Sequence, residues 1–108
     1  MDDVTYQVPL QASDRKDLFD QWREQNPQAW GEIRAHAISL WRKGHKRIST
    51  KYLIEAQRYE STTSAKPVPF TDQNGKTRAY NINNSDTSTM ARVLLAEFPD
   101  MPIETRGK

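Results

Sequence analysis

Apolar residues recur at three- and four-residue intervals in four segments of the chain, the spacing of amphipathic helices. The first helix is expected to begin near Ser13, whose hydroxyl suits an N-cap because it accepts a hydrogen bond from a free backbone amide. Leu18, Phe19 and Trp22 fall on one face of this helix. The pattern therefore predicts a mainly helical protein.

The second helix is expected over residues 27–43. Asn26 is a good cap, and Pro27 suits the first helical position because it needs no amide partner. Gly44 suits the left-handed residue just beyond a helix end. The apolar stripe consists of Trp30, Ile33, Ala37, Leu40 and Trp41. The short connection to the first helix predicts an antiparallel or crossed pair.

Ser49 is the expected N-cap of a third helix, and Ile48 and Leu53 occupy the two positions of a hydrophobic staple. The residues expected to face inward are Leu53, Ala56, Tyr52 and Tyr59. A fourth helix is expected from about Asp86 to Phe98, with Ser85 and Asp86 as cap candidates and Pro99 beyond its end. Its apolar stripe is Met90, Val93, Leu94 and Phe98.

Residues 65–84 favour a β-hairpin between the third and fourth helices. Asn74 and Gly75 form a favoured type I′ pair between two short segments that suit strands. Pro67 and Pro69 cannot donate to a ladder, which confines the first strand to an edge or to a short length. A flexible loop is the alternative.

One domain fits a chain of 108 residues. We expect a flexible N-terminal arm at residues 1–12, a compact helical domain at 13–99 with its hairpin at about 67–82, and a C-terminal tail at 100–108. Helices followed by a hairpin are the outline of a four-helix winged-helix or helix-turn-helix-like domain, mainly α with a small β-hairpin.

Composition removes several classes of protein. The chain has no cysteine, which excludes disulfides and thiol catalysis and fits a cytoplasmic protein. Its start does not resemble a signal peptide, and no apolar run suits a membrane span. His36 and His45 have no carboxylate at ligand spacing, and the four glycines form no phosphate-binding loop. We expect no cofactor, no metal site and no catalytic activity.

Charge is unevenly distributed along the chain. Residues 1–41 have a net charge of −3, and residues 42–80 carry nine Lys/Arg against three Asp/Glu, a net charge of +6. Five cations concentrate around the turn between the second and third helices, a group that we call the basic centre: Arg42, Lys43, Lys46, Arg47 and Lys51. Such cations pair with successive phosphates of nucleic acid and release counterions. The alternative is a solvated turn whose cations pair with the acidic first helix.

Further candidate contacts lie outside the basic centre. Lys76 and Arg78 are expected beside the hairpin tip, where a wing touches the DNA backbone. Two helices remain candidates for reading bases, the third at residues 50–60 and the fourth at 86–98. We favour the fourth because Glu55 and Glu60 on the third would repel phosphates. The possible base-reading residues on the fourth helix are Ser88, Thr89 and Arg92.

The run from Gly44 to Lys51, continuing to Glu55 and then Arg58-Tyr59-Glu60, resembles a pattern found in small uncharacterised proteins of phages and prophages. Ile82-Asn83-Asn84, followed by Ala91-Arg92 and Leu94, resembles it as well, as does the helix start at Asn26-Pro27. The resemblance covers roughly residues 18–106. It implies a phage-related origin and a compact helical domain of winged-helix type, without an established activity.

Two functional hypotheses follow. In the first, the chain is a regulatory protein that binds nucleic acid, with double-stranded DNA as the partner. In the second, it is a module that binds and modulates a host or phage protein, with Trp22, Trp30 and Trp41 as possible surface anchors. The three tryptophans are more simply explained as core residues. A homodimer is compatible with either hypothesis, and neither involves a membrane.

Overall fold

The architecture is that of a computed structural model, which describes residues 12–104, with side chains from residue 15 onward. The described chain forms four α-helices, two antiparallel strands and one 3-10 turn, so the prediction of a mainly helical domain with a small hairpin is confirmed. The elements are α1 (Ala12–Gln25), α2 (Pro27–Arg42), α3 (Thr50–Tyr59), β1 (Val68–Thr71), β2 (Thr77–Tyr80), the 3-10 turn (Asn84–Asp86) and α4 (Thr87–Glu97).

Asn26 alone separates α1 from α2 and occupies the predicted N-cap position of α2, but its buried side chain forms no capping hydrogen bond. The amide Nδ2 donates to the Lys66 carbonyl at 3.0 Å, while Oδ1 accepts from the Lys66 N–H at 2.6 Å. Its hydrogen bonds therefore hold the helix junction against the segment that leads into β1. The predicted cap of α1, Ser13, has a side chain outside the described residues.

Gly44 ends α2 as predicted, and it does so in the left-handed region, with φ of +92°. The Gly44 N–H donates to the Trp41 carbonyl at 3.0 Å and the His45 N–H donates to the Leu40 carbonyl at 3.1 Å. These two bonds are those of a Schellman motif, which satisfies the last carbonyls of the helix. The chain then turns towards α3.

The start of α3 confirms the predicted cap and agrees with the staple. Ser49 Oγ accepts a hydrogen bond from the Tyr52 N–H at 3.1 Å, and Ile48 and Leu53 are both buried. The prediction that Tyr52 and Tyr59 face inward was wrong, because they are 43% and 72% exposed. The residues of α3 that face the core are Thr50, Leu53, Ile54, Ala56 and Gln57.

The hairpin has the predicted strands, with Val68 opposite Tyr80 and Thr71 opposite Thr77. Its turn differs from the predicted type I′ turn, because Gly75 has a positive φ of +79° and Asn74 does not. The Gly75 N–H donates to the Asp72 carbonyl at 3.0 Å. A turn closed in this way, followed by a left-handed glycine, gives a three-residue loop. Asp72 Oδ1 stabilises it by accepting from the amides of Asn74 and Lys76.

The core includes Trp22, while Trp30 and Trp41 are partly buried and pack against the core cluster. The interpretation of the tryptophans as core residues therefore holds. The core also continues past residue 99, where we had expected a tail, because Met101 and Ile103 are buried.

Ile103 forms a parallel bridge with Ile48. The Ile48 N–H donates to the Pro102 carbonyl and the Glu104 N–H donates to the Ile48 carbonyl, both at 2.8 Å. The chain end is thereby joined to the loop before α3. The rest of the predicted tail, residues 105–108, and the predicted arm up to residue 11 lie outside the described residues. Within the described part, no helix has the length and apolar character that crossing a membrane requires.

Candidate nucleic-acid interface

The basic centre is exposed at all five positions: Arg42, Lys43, Lys46, Arg47 and Lys51. Arg42 is the last residue of α2, Lys51 lies in the first turn of α3, and the other three lie in the loop at residues 43–49. Among residues 15–104, none of the five cations forms an ion pair. Within this part of the chain, no ion pair neutralises their charge.

The acidic residues of α1 do not neutralise the basic centre within the described chain. Asp20 instead pairs inside its own helix, with Lys16 Nζ at 2.7 Å and Arg23 Nη2 at 2.6 Å. Burial raises the pKa of Asp20, but the hydrogen bonds and charges of Lys16 and Arg23 outweigh burial and hold this pKa below its ordinary value. These contacts therefore do not support the alternative in which the cations of the basic centre pair with the acidic residues of α1.

The two hairpin cations differ in availability. Lys76 is exposed beside the tip, whereas Arg78 is half-buried and pairs with Asp72 Oδ2 at 3.4 Å. The pKa of Asp72 lies below its ordinary value, chiefly because its carboxylate accepts from the Lys76 N–H and also from the Asn74 N–H and Arg78. Arg78 is thus partly compensated within the hairpin, and Lys76 is the freer cation of the pair.

A cleft of about 640 Å³ lies between the start of α3 and the start of α4. It brings together Lys51, from the basic centre, with Ser88 and Arg92, which were proposed separately as base-reading residues. Thr50 and Thr87 line it as well. Thr89 is half-buried and is not among the lining residues. Two sets of candidate residues that are distant in sequence therefore meet at one place.

Asp86 occupies the N-cap position of α4 without capping it directly. The 3-10 turn runs straight into α4, and the start of that turn carries a capping box formed by Asn83 and Asp86. The Asp86 carboxylate is engaged elsewhere: it accepts from Arg15 Nη1 at 3.3 Å, from Tyr80 Oη at 2.8 Å and from the Asn83 N–H at 3.0 Å. First-turn amides of a helix lack intrahelical partners and carry partial positive charge. Because the 3-10 turn precedes α4 without a break, the free end of this helical segment is the start of that turn, which Asn83 and Asp86 cap.

The same three bonds of Asp86 position the site, because they join α1, the end of β2 and the segment before α4. Burial chiefly, and then the nearby charge of Asp86 and its hydrogen bond, raise the pKa of Tyr80 above its ordinary value. Sequence reasoning did not find this group, since Arg15 is 71 residues from Asp86 and no helical or strand periodicity relates Tyr80 to Asp86. Asp86 had been considered only as a cap.

Glu104 is a further lining residue that sequence reasoning missed. It was assigned to the tail, and it borders the cleft because the Ile48–Ile103 bridge brings the chain end there. Its carboxylate is the only acidic group among the described residues that line the cleft. Its negative charge partly offsets the positive charges that Lys51 and Arg92 bring to the cleft.

The two histidines are not adjacent. The His36 ring packs edge-on against Tyr52, with centroids 5.1 Å apart, and His45 is exposed in the loop after α2. Within the described residues, no group of three or more His, Cys, Asp or Glu side chains is arranged to hold a metal ion. In comparisons with known proteins, no family model, no curated protein and no solved structure matched the chain.

Proposed function

We propose that this chain is a small phage-type regulatory protein of the cytoplasm that binds double-stranded DNA and has no catalytic activity. The observation that carries the proposal is the basic centre, an exposed group of five cations without ion-pair partners in the described structure. Unpaired surface cations of this density favour phosphate binding through counterion release. Lys51 makes the group continuous with the cleft.

The order of elements supports a winged-helix type of domain, with α1, α2 and α3 followed by the hairpin as the wing. Lys76 is the wing cation that this proposal places on the DNA backbone, and Arg78 is a weaker contact because of Asp72. Two features depart from the usual motif. The α2–α3 connection spans residues 43–49, longer than the usual three- or four-residue turn. The hairpin has no third strand within the described chain.

The test measures binding to a random-sequence duplex by fluorescence anisotropy at two salt concentrations. We expect affinity to fall steeply as salt rises, because each released counterion contributes to the slope of log K against log salt. Lys46→Glu combined with Arg47→Glu reverses two charges of the basic centre, and we expect it to abolish measurable binding. Binding that is insensitive to salt, or unchanged in this variant, contradicts the proposal.

A matched control has the same change of charge outside the basic centre. Arg58→Glu combined with Lys66→Glu alters two exposed cations, one near the end of α3 and one before β1. We expect this variant to bind DNA more tightly than the Lys46/Arg47 variant by at least about tenfold. An equal loss of DNA affinity in both variants would show that binding depends on net charge and not on the basic centre.

A second candidate function, a protein-interaction module for a host or phage protein, is favoured by the exposed side of α3. Tyr59 is 72% exposed, and the Arg58 guanidinium lies over its ring at 5.1 Å from the centroid. Tyrosine and arginine are enriched among residues that dominate binding energy at interfaces. A pull-down from host lysate after nuclease treatment tests it. A partner retained by the unaltered protein and lost with Tyr59→Ala supports this function over the first.

A further inference from the structure

Two aromatic rings lie open to solvent on one side of α3. They belong to Tyr52 and Tyr59, and among the described residues no other large apolar side chain is exposed. Seven residues make almost two full turns of an α-helix, so the two rings lie in line, about 10 Å apart along the axis. Single exposed apolar residues are common, but two rings in one line form a surface that a partner can cover.

Each ring is held by a neighbouring side chain. The Tyr52 ring packs edge-on against His36 of α2, with ring centroids 5.1 Å apart. The Arg58 guanidinium lies over one face of the Tyr59 ring, 5.1 Å from its centroid, and yet Tyr59 is 72% exposed. The opposite face of the Tyr59 ring is therefore open. A side chain that is already ordered loses less conformational entropy when a flat partner stacks on it.

Two cations border the rings on the same side of α3. Lys51 and Arg58 each directly precede one of the tyrosines, and both are exposed. Neither forms an ion pair with any residue between 15 and 104. The rings and the cations form a surface that we call the tyrosine face: Lys51, Tyr52, Arg58 and Tyr59. Because Lys51 also belongs to the basic centre, the two surfaces are continuous.

Aromatic rings interleaved with cations suit a single strand of nucleic acid. The rings stack on unpaired bases, and the cations pair with the phosphates that link those bases. A duplex offers no such contact along its length, because its bases stack on one another inside the helix. The centre of a protein–protein interface is depleted of charged residues, whereas two cations border these rings. The chemistry of this face therefore favours an unpaired strand over a duplex or a protein.

We propose that the tyrosine face binds a short unpaired stretch of nucleic acid, with one base stacked on Tyr52 and another on Tyr59. Stacked bases are about 3.4 Å apart, so rings about 10 Å apart take two separate bases of one strand. Lys51 and Arg58 contact the phosphates. The inference goes beyond the proposed function, because the ligand is unpaired and the face shares only Lys51 with the basic centre.

Glu55 lies between the two tyrosines along α3, and its charge opposes the phosphates. Its carboxylate accepts a hydrogen bond from Asn84 Nδ2 at 3.4 Å. Glu55→Gln removes the charge and keeps an oxygen that can accept this bond. We expect the substitution to tighten single-strand binding about threefold, the size of effect that one exposed charge pair produces. Damage to the fold does not produce a gain of affinity.

The first arm of the test measures fluorescence anisotropy of a labelled oligothymidylate of about ten nucleotides, a length that single-strand sites cover. Thymine does not pair with itself in a duplex, so every base is available for stacking. We expect Tyr59→Ala to weaken binding about tenfold, since stacking of one base contributes on the order of one such factor. Tyr59→Phe keeps the ring and should bind within about twofold of the unaltered protein. A loss in Tyr59→Phe as large as that in Tyr59→Ala would overturn stacking.

A matched pair of variants tests the cation of the tyrosine face. Arg58→Gln and Lys66→Gln each remove one exposed cation, and only Arg58 belongs to the face. We expect Arg58→Gln to weaken oligothymidylate binding at least about fivefold, and Lys66→Gln to change it less than about twofold. Equal effects would show that binding follows net charge, which overturns the site. The urea midpoint of each variant checks that it is folded.

The second arm repeats the titrations with the random-sequence duplex. Weaker single-strand binding in Tyr59→Ala, with duplex affinity unchanged, supports the tyrosine face as a separate site. If the unaltered protein binds the duplex but not the oligothymidylate, the inference is overturned and the proposed function stands. If it binds the oligothymidylate with the expected dependence on Tyr59 but does not bind the duplex, the proposed function fails and the inference stands. Full single-strand affinity in Tyr59→Ala overturns the inference and leaves the exposed tyrosines to the protein partner of the second candidate function.

Discussion

At the scale of single residues, Asp86 is a fully buried carboxylate with three hydrogen-bond partners, one of them 71 residues away in the chain. Arg15 belongs to α1, Tyr80 to β2 and Asn83 to the segment before α4. Removing one member of a buried charged pair is costly, because the other charge remains without compensation. Arg15 is partly exposed, so hydration of its guanidinium offsets part of that cost.

We expect Asp86→Asn to lower the free energy of unfolding by about 2–3 kcal/mol, because it leaves Arg15 unpaired and places an amide where acceptors are needed. Urea denaturation followed by tryptophan fluorescence measures this loss. Asp100→Asn is the control, since Asp100 is exposed and forms no ion pair with the described residues. Similar stability for the two variants would show that the three bonds of Asp86 contribute little.

Tyr80 makes stability depend on alkaline pH. Its pKa is raised in the folded protein, so the phenol keeps its proton at pH values where the unfolded chain loses it, above about 10. The unfolded state then gains by ionising, and the free energy of unfolding falls as pH rises past that point. We expect this effect to reach about 1 kcal/mol by pH 11. It is measured as the difference in urea stability between pH 8 and pH 11.

Two variants isolate the contribution of Tyr80. Tyr80→Phe cannot ionise, so its stability should fall less between pH 8 and pH 11 than that of the unaltered protein. Its stability at pH 8 should already be lower by about 1 kcal/mol, because the hydrogen bond to Asp86 is gone. Tyr52→Phe, at an exposed position, should keep the full alkaline dependence. If the stability of Tyr80→Phe falls as much between pH 8 and pH 11 as that of the unaltered protein, other groups cause the alkaline dependence.

At the scale of elements, α2 contains Gly31 and is followed by Gly44. We expect substitution by alanine to have opposite effects on stability at these two positions. A Cβ at Gly44 or at Gly31 meets no atom within 4 Å, so packing does not distinguish them. Gly44 has a φ of +92°, where a side chain strains the backbone, whereas Gly31 lies inside the helix. We expect Gly44→Ala to destabilise by about 1–2 kcal/mol and Gly31→Ala to stabilise by about 0.5–1 kcal/mol. Thermal unfolding of the two variants measures both, and a shift of the same sign would contradict the argument.

Element positions were predictable from local rules, and the exceptions have tertiary causes. Gly44 and Ser49 were identified correctly because a helix end and a helix start depend on neighbouring residues only. Asn26 occupies the predicted N-cap position, but its side chain binds Lys66, which is distant in sequence, instead of a first-turn amide. The turn of the hairpin was misassigned because the Asp72 carboxylate binds the turn amides, a contact that the Asn-Gly pair does not indicate.

The face of α3 illustrates a different limit of sequence reasoning. Tyr52 and Tyr59 are large and apolar enough to suggest burial, yet the core takes Ile54 and Gln57 instead. The direction in which a helix turns its apolar side depends on where α2 and α4 lie. Periodicity establishes that α3 has an apolar side. It cannot decide which of two overlapping stripes of residues is buried, because that depends on the neighbouring helices.

At the scale of the whole molecule, half of the candidate site was accessible from sequence. The basic centre was found because its cations are close in the chain. The cleft was not, because it depends on packing between α3 and α4, whose starts are about 37 residues apart, and on the chain end carrying Glu104. Membership of a cleft is a tertiary property, and no local spacing rule reports it.

The chain end also connects stability to the site, since Met101 and Ile103 are buried and the Ile48–Ile103 bridge fixes the loop that carries the basic centre. We expect Met101→Ala and Ile103→Ala each to cost about 2–4 kcal/mol through lost burial and the cavity left behind. Asp100→Ala, at an exposed neighbour, should be close to neutral.

Hydrogen exchange separates loss of the bridge from general destabilisation. The Ile48 and Glu104 amides are both bonded across the bridge, so Ile103→Ala should speed their exchange by more than it speeds exchange of core amides of α2. Met101→Ala lowers global stability without removing a bridge residue, and it should therefore speed all of these amides by a similar factor. If Ile103→Ala behaves like Met101→Ala, the chain end contributes burial alone and does not hold the loop. If it does not, the position of the basic centre beside the cleft depends on Ile103, and DNA affinity should fall in Ile103→Ala by more than in a Met101→Ala variant of equal stability.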